Sequence, residues 1–176
     1  MANPLTLIVQ DLRPHEATGV ARYCGSVIAE FGKRSVPFRL RKLAAREFRV
    51  GPLGFGYYAR IGWHRATVRP RGIVHSFFWF VIPPTTRILT IYDTFSYADP
   101  GRVVHPAARR LYRRLWADIT QTPDVYVAIS EAVRRDIHRV FGVPWERIVV
   151  APIGVDTGRF RPSAGARPPA FREDGR

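Results

Sequence analysis

Between Asp124 and Asp156 the chain reads DVYVAISEAVRRDIHRVFGVPWERIVVAPIGVD, and these thirty-three residues hold signals for strand, turn, capped helix, turn and strand, in that order. A unit of this kind joins neighbouring parallel strands through a helix, so it commits the chain to a parallel α/β sheet. VYVAI is a short apolar run rich in β-branched residues, bounded by Pro123 and Ser130, as expected of a strand covered on both faces. Ser130 is expected to cap a helix in which Val133, Ile137, Val140 and Phe141 share one face and Arg134, Arg135, Asp136 and Arg139 take the other positions. Gly142 stops that helix and Pro144 forbids its resumption. A second strand begins at Ile148 and breaks at Pro152 and Gly154.

The remainder fits the same pattern. Leu5–Val9, Val36–Leu40, Ile73–His75 and Ile88–Tyr92 are expected strands. A helix is expected over Val20–Phe31, with Val20, Tyr23, Val27, Ile28 and Phe31 as its apolar stripe and Gly32 as its end. Another is expected over Pro106–Thr120, and a short one near Tyr57–His64 within an otherwise irregular Arg41–Gly72. Strands alternating with helices predict a three-layer, Rossmann-like α/β domain with a mainly parallel sheet over residues 1–160. Residues 161–176, rich in Pro, Gly, Ala and charge without periodicity, are expected to form a disordered tail or a truncated interdomain linker.

A chain of 176 residues, 46% of them hydrophobic and 12% aromatic, has ample material for one core. Its net charge of +14 favours polyanions such as phosphates, nucleic acid or anionic headgroups. The single cysteine, Cys24, excludes an internal disulfide and suits a reducing cytoplasm. MANPLTLIVQ lacks the basic and long apolar regions of a signal peptide. The most apolar stretch, Ile73–Ile82, is about half the ~20 residues that span a bilayer.

Parallel sheets bind ligands at the carboxyl ends of their strands, so those ends hold the candidate site. Gly19 immediately precedes the first helix; it either lets backbone N–H groups approach an anion or merely serves the turn. His75 is a cleft residue or a satisfied strand-end histidine, and Phe77, Phe78, Trp79 and Phe80 beside it either pack the core or offer flat surfaces to a sugar ring or lipid. Asp93 is a candidate general base towards an acceptor hydroxyl, with capping of the next turn as the alternative. Ser130 is explained by N-capping alone, while Arg134, one turn in, is placed to neutralise phosphate. The cluster Arg109, Arg110, Arg113 and Arg114 reads as a solvated helix face or as an adhesive patch for an anionic membrane, which Tyr112 and Trp116 would strengthen if exposed. There is no Asp-x-Asp or His/Cys grouping suited to a metal, and no cofactor is implied.

Five segments taken in order carry a resemblance: GVARY, VHSFFWFVIPP, TIYDTF, VAISEAVRRDIHRVFGVPWERI and PIGVD, followed by Phe160. Together they resemble the N-terminal, acceptor-side half of family 4 glycosyltransferases with the GT-B fold. The resemblance implies transfer of a sugar from a nucleotide-sugar donor to the hydroxyl of a glycan or lipid-linked acceptor, without an obligatory metal. It implies substrate-binding roles for Gly19, Arg22, His75, Ser130 and Arg134, and catalytic positions at Tyr92 and Asp93. Ala21 stands at the second Gly of the family's Gly-Ile-Gly-Arg-Tyr, and Tyr92 stands where the family has His. A phenol, with a reference pKa of ~10, mainly donates a hydrogen bond, so a binding role carries over to Tyr92 better than proton transfer. In that family a second domain holds most of the nucleotide-sugar site. The chain ends twenty residues after Asp156, so this polypeptide by itself is expected to be inactive. A cytoplasmic protein, peripheral at the inner face of the membrane, is expected. The alternative is a basic nucleic-acid-binding or non-catalytic interaction domain, although no helix-turn-helix, zinc-finger or RNP pattern is present and nucleic acid is not the expected partner.

Overall fold

The computed structural model describes residues 5–11, 19–44, 63, 66–67, 70–77, 84–99, 106, 109–155 and 157. The polar loop before Gly19, most of the expected helix near Tyr57–His64, the aromatics Phe78–Phe80 and the tail lie outside them. So do the side chains of Tyr112 and Arg114.

Six strands form one parallel sheet: β1 (Leu5–Asp11), β2 (Phe38–Ala44), β3 (Ile73–Ser76), β4 (Thr86–Ile91), β5 (Val125–Ala128) and β6 (Ile148–Val150). Their order across the sheet is β2-β1-β3-β4-β5-β6. The chain moves one way from β1 to β2 and the other way from β3 onwards, so the order reverses between β1 and β3. Right-handed crossovers then place the connecting helices on opposite faces, giving the Rossmann-like architecture expected from the sequence.

The first face carries α1 (Gly19–Lys33). Cys24 is buried there with Leu7, Val9 and Phe77, and Val20, Tyr23, Val27, Ile28 and Phe31 pack against them. Gly32 lies inside this helix. The end is set three residues later by Ser35, which adopts a left-handed φ of 54°. Its N–H donates to Gly32 O (3.1 Å) and that of Val36 to Phe31 O (3.0 Å), the double bond of a Schellman turn with serine in the usual place of glycine.

The opposite face carries α3 (Arg109–Gln121) and α4 (Glu131–Phe141), with α2 (Phe95–Ala98) as a single turn following β4. Its core joins Trp116 and Ile119 to Leu89, Ile91, Tyr126, Ala128, Ile137, Val143 and Ile148. Trp116 stacks on Phe141 (5.2 Å) and meets Tyr97 edge-on (5.4 Å). Because Trp116 is fully buried, it contributes nothing to an interfacial surface, which corrects the expectation that it might join one. The caps of α4 are those its sequence predicts: Ser130 Oγ accepts from Val133 N (3.2 Å), and Gly142 closes the helix at φ 65°.

The amino ends of three strands are tied together by arginines. Arg87 forms a two-pronged pair with Asp124 (3.1 and 3.3 Å). Arg147, from the 3-10 turn Trp145–Arg147, donates to Asp124 O (2.9 Å) and Pro123 O and lies over the Tyr126 ring. This bracing is at the end of the sheet remote from the candidate site.

Candidate functional site

Strands neighbouring in a sheet lie ~4.8 Å apart, so the carboxyl ends of β1, β3, β4 and β5 follow one another along a rim of ~14 Å. The reversal between β1 and β3 opens a crevice in that rim, and the amino end of α1 stands over it. Gly19 is the first residue of α1, exposed, with nothing within 4 Å of the place a Cβ would take. Its value at this position is therefore not close packing within the protein. Arg22, one turn on, is exposed.

Below α1, four aromatic rings from three elements form a chain of contacts. His75, on β3, stacks on Phe77 (4.2 Å, 26°). Phe77 meets Tyr23 of α1 edge-on (6.1 Å), and Tyr23 meets Tyr92 edge-on (5.8 Å). The Tyr92 hydroxyl lies 3.8 Å from Cys24 Sγ, and His75 Nε2 is hydrogen-bonded to Thr90 Oγ1 at 2.9 Å. Three titratable groups thus sit in a largely dry pocket, which disfavours their charged forms. Desolvation lowers His75 to about 4 and raises Cys24 to about 11, and it drives Tyr92 upward as well, with Cys24 and Tyr23 adding to the shift. At neutral pH the imidazole, thiol and phenol are all uncharged.

Asp93 differs from these neighbours. It follows β4 directly and is exposed, and its Oδ1 accepts from Phe95 N (3.1 Å), capping α2. The capping role and an outward-facing carboxylate coexist, since a carboxylate has two oxygens. Asp93 is the one ionised group that these residues place beside the aromatic pocket.

Ser130 and Arg134 belong to the other face. Ser130 is one strand further along the rim, with its hydroxyl engaged as the α4 cap. Arg134 pairs with Glu131 (3.6 Å), and its guanidinium lies over Trp145 (5.3 Å), the ring that also stacks on His138 (4.1 Å). Gly19, Arg22, His75, Tyr92 and Asp93 therefore gather around α1, whereas Arg134 is held against α4 and the 3-10 turn.

Thr90, Tyr23 and Cys24, the partners that hold His75 and Tyr92, were not among the residues singled out from the sequence. The alternation in TIYDTF was the available signal, since it puts Thr90 and Tyr92 on one face of β4. On α3, Arg110 and Arg113 are exposed and Arg109 is half-buried. Among the described residues no group of three His, Cys, Asp or Glu is placed to hold a metal ion. No helix among them is long and apolar enough to cross a membrane.

Comparison with known proteins agrees with this architecture. The family model described as Glycosyltransferase Family 4 matches residues 15–159, most of the chain. No curated protein matches it. The chain belongs to glycosyltransferase family 4.

Proposed function

We propose that this member of glycosyltransferase family 4 forms the acceptor wall of a transferase that moves a sugar from a nucleotide-sugar to the hydroxyl of a glycan or lipid-linked acceptor. The observation that carries the reading is the contrast at the rim: an exposed carboxylate, Asp93, directly beside a pocket whose His75, Tyr92 and Cys24 are all neutral. Proton removal from an acceptor hydroxyl needs a base within hydrogen-bond reach, and Asp93 is the group so placed. Tyr92 serves as wall and not as proton carrier, because its hydroxyl is turned towards Cys24 and its pKa is raised. Gly19 and Arg22, at the positive end of α1, are positioned to meet an anionic part of the substrate, and Ser130 and Arg134 border the same rim from the α4 side.

One sheet supplies one wall of a cleft, and water must be excluded before transfer outruns hydrolysis. The donor wall is assigned to a second α/β domain. The 176 residues tested by themselves should bind nucleotide-sugars weakly and turn none over. We place the protein in the cytoplasm, at the inner face of a membrane that holds its acceptor, and the exposed Arg110 and Arg113 of α3 support that contact.

Titration of the 176-residue chain with neutral and lipid-linked glycans, followed by amide resonances, tests the assignment. Shifts should centre on Gly19, Arg22 and Tyr92–Phe95 and should weaken in D93N. Calorimetry with UDP- and GDP-sugars should register no micromolar binding. Salt-sensitive binding to nucleic acid, with glycans leaving these resonances unmoved, would overturn the reading.

A further inference from the structure

The pairing of β3 with β4 contains an irregularity directly before the candidate site. Val74 is opposite Thr86, but His75 is opposite Ile88, so Arg87 is an added residue on β4. A side-chain period of two makes such an insertion decisive, because it exchanges the faces of every residue that follows. Without it His75 would stand opposite Arg87, and the residues of β4 on the α1 side would be Leu89 and Ile91. With it they are Ile88, Thr90 and Tyr92, while Leu89 and Ile91 enter the opposite core with Trp116.

The first side-chain contact after the added residue is the hydrogen bond between His75 Nε2 and Thr90 Oγ1, a diagonal pair across the two strands. Both residues are buried, so a slip in register would strand two polar groups in an apolar setting. His75 is also stacked on Phe77 at the end of β3, and Phe77 reaches Tyr92 through Tyr23 of α1. Two routes therefore run from His75 to the tip of β4: one along the strand from Thr90, the other through the first helix.

We propose that His75 is a positioning residue whose hydrogen bond to Thr90 pins the β3–β4 register, turning Tyr92 towards α1 and leaving Asp93 at the rim. The pin acts on the site through Tyr92 and does not itself touch substrate. Its relevance to catalysis rests on the reading of Asp93 above, which D93N tests; the register pin is tested separately.

Cys24 is the only cysteine and lies against the Tyr92 hydroxyl, so its reaction with a thiol reagent reports the seating of Tyr92. In the full chain, T90V should raise the labelling rate about tenfold, the factor expected from loss of one buried hydrogen bond. The ring resonances of Tyr23 and Tyr92 should shift while that of Tyr126, in the opposite core, stays. T90S, which keeps the hydroxyl, should restore both readouts to near the wild-type values. Wild-type labelling and resonances in T90V would overturn the proposal, as would equal disturbance in T90S and T90V. If T90V fails to fold, H75Q and H75L decide: the amide should hold Cys24 near its wild-type rate and the leucine should not, and equal labelling of the two would overturn the pin.

Discussion

The two faces of the sheet are built on different terms. The core under α3 and α4 is aromatic and aliphatic throughout, and its one deep phenol, Tyr126, donates to Ile119 O at 2.6 Å. The layer under α1 is smaller, and it buries a histidine, a cysteine and a threonine around Tyr92, each held by few polar contacts. Apolar packing rewards bulk and tolerates no gaps, whereas a layer of neutral polar groups holds particular atoms in particular places. The first face is therefore where stability concentrates, and the second is where the strand ends are shaped for a ligand.

The largest test of that contrast is Trp116→Ala. Removing a fully buried indole stacked on Phe141 should cost ~3–5 kcal/mol in urea denaturation, and comparable damage from Phe95→Ala, half exposed at the rim, would break the distinction.

Acid should find the other face first. His75 titrates at about 4 when folded, against ~6.5 when unfolded, so the unfolded chain takes up the proton at the higher pH. The stability contributed by neutral His75 is thus complete above pH ~6.5, declines as pH falls towards 4 and is lost below it; the shift corresponds to about 3 kcal/mol. Denaturation midpoints at pH 7, 5.5 and 4 should fall for the wild type and lose this component in H75Q. An unchanged slope in H75Q would place the acid sensitivity elsewhere.

Bracing at the remote end of the sheet should respond more modestly. Arg147→Met removes donors to Asp124 O and Pro123 O and the stacking over Tyr126, with an expected cost of ~1–3 kcal/mol and no change in the Tyr92 ring resonances. The smallest effect is a gain. Ser35→Gly relieves a left-handed serine at the end of α1 and should add ~0.5–1 kcal/mol, measurable as a rise in midpoint temperature. A loss there would mean that the serine side chain contributes more than its backbone costs.

Legibility followed locality. The α4 unit was readable because Ser130, Gly142 and Pro144 state their backbone requirements within the segment, and the strand Ile148–Val150 has the start and length expected. At the end of α1 the reading was misled by Gly32: glycine is the usual stop, yet the chain tolerates it within the helix and turns at Ser35. On β2 the expected strand Val36–Leu40 appears displaced, at Phe38–Ala44, because Val36 is used to close α1. The short turn α2 was not foreseen, although Asp93, two residues before Phe95, carries its cap.

Sequence by itself determined the parallel α/β class, the caps and strands of its final unit, and the kinship with family 4, since each depends on residue types at short, fixed spacing. It also named Gly19, His75, Tyr92 and Asp93 as strand-end and helix-end residues. Tertiary structure decided what these residues are: which face Tyr92 joins depends on the added Arg87, and the neutrality of His75 depends on burial beneath a helix some fifty residues away. Register and desolvation arise only when distant segments meet, and no local pattern of residues encodes them.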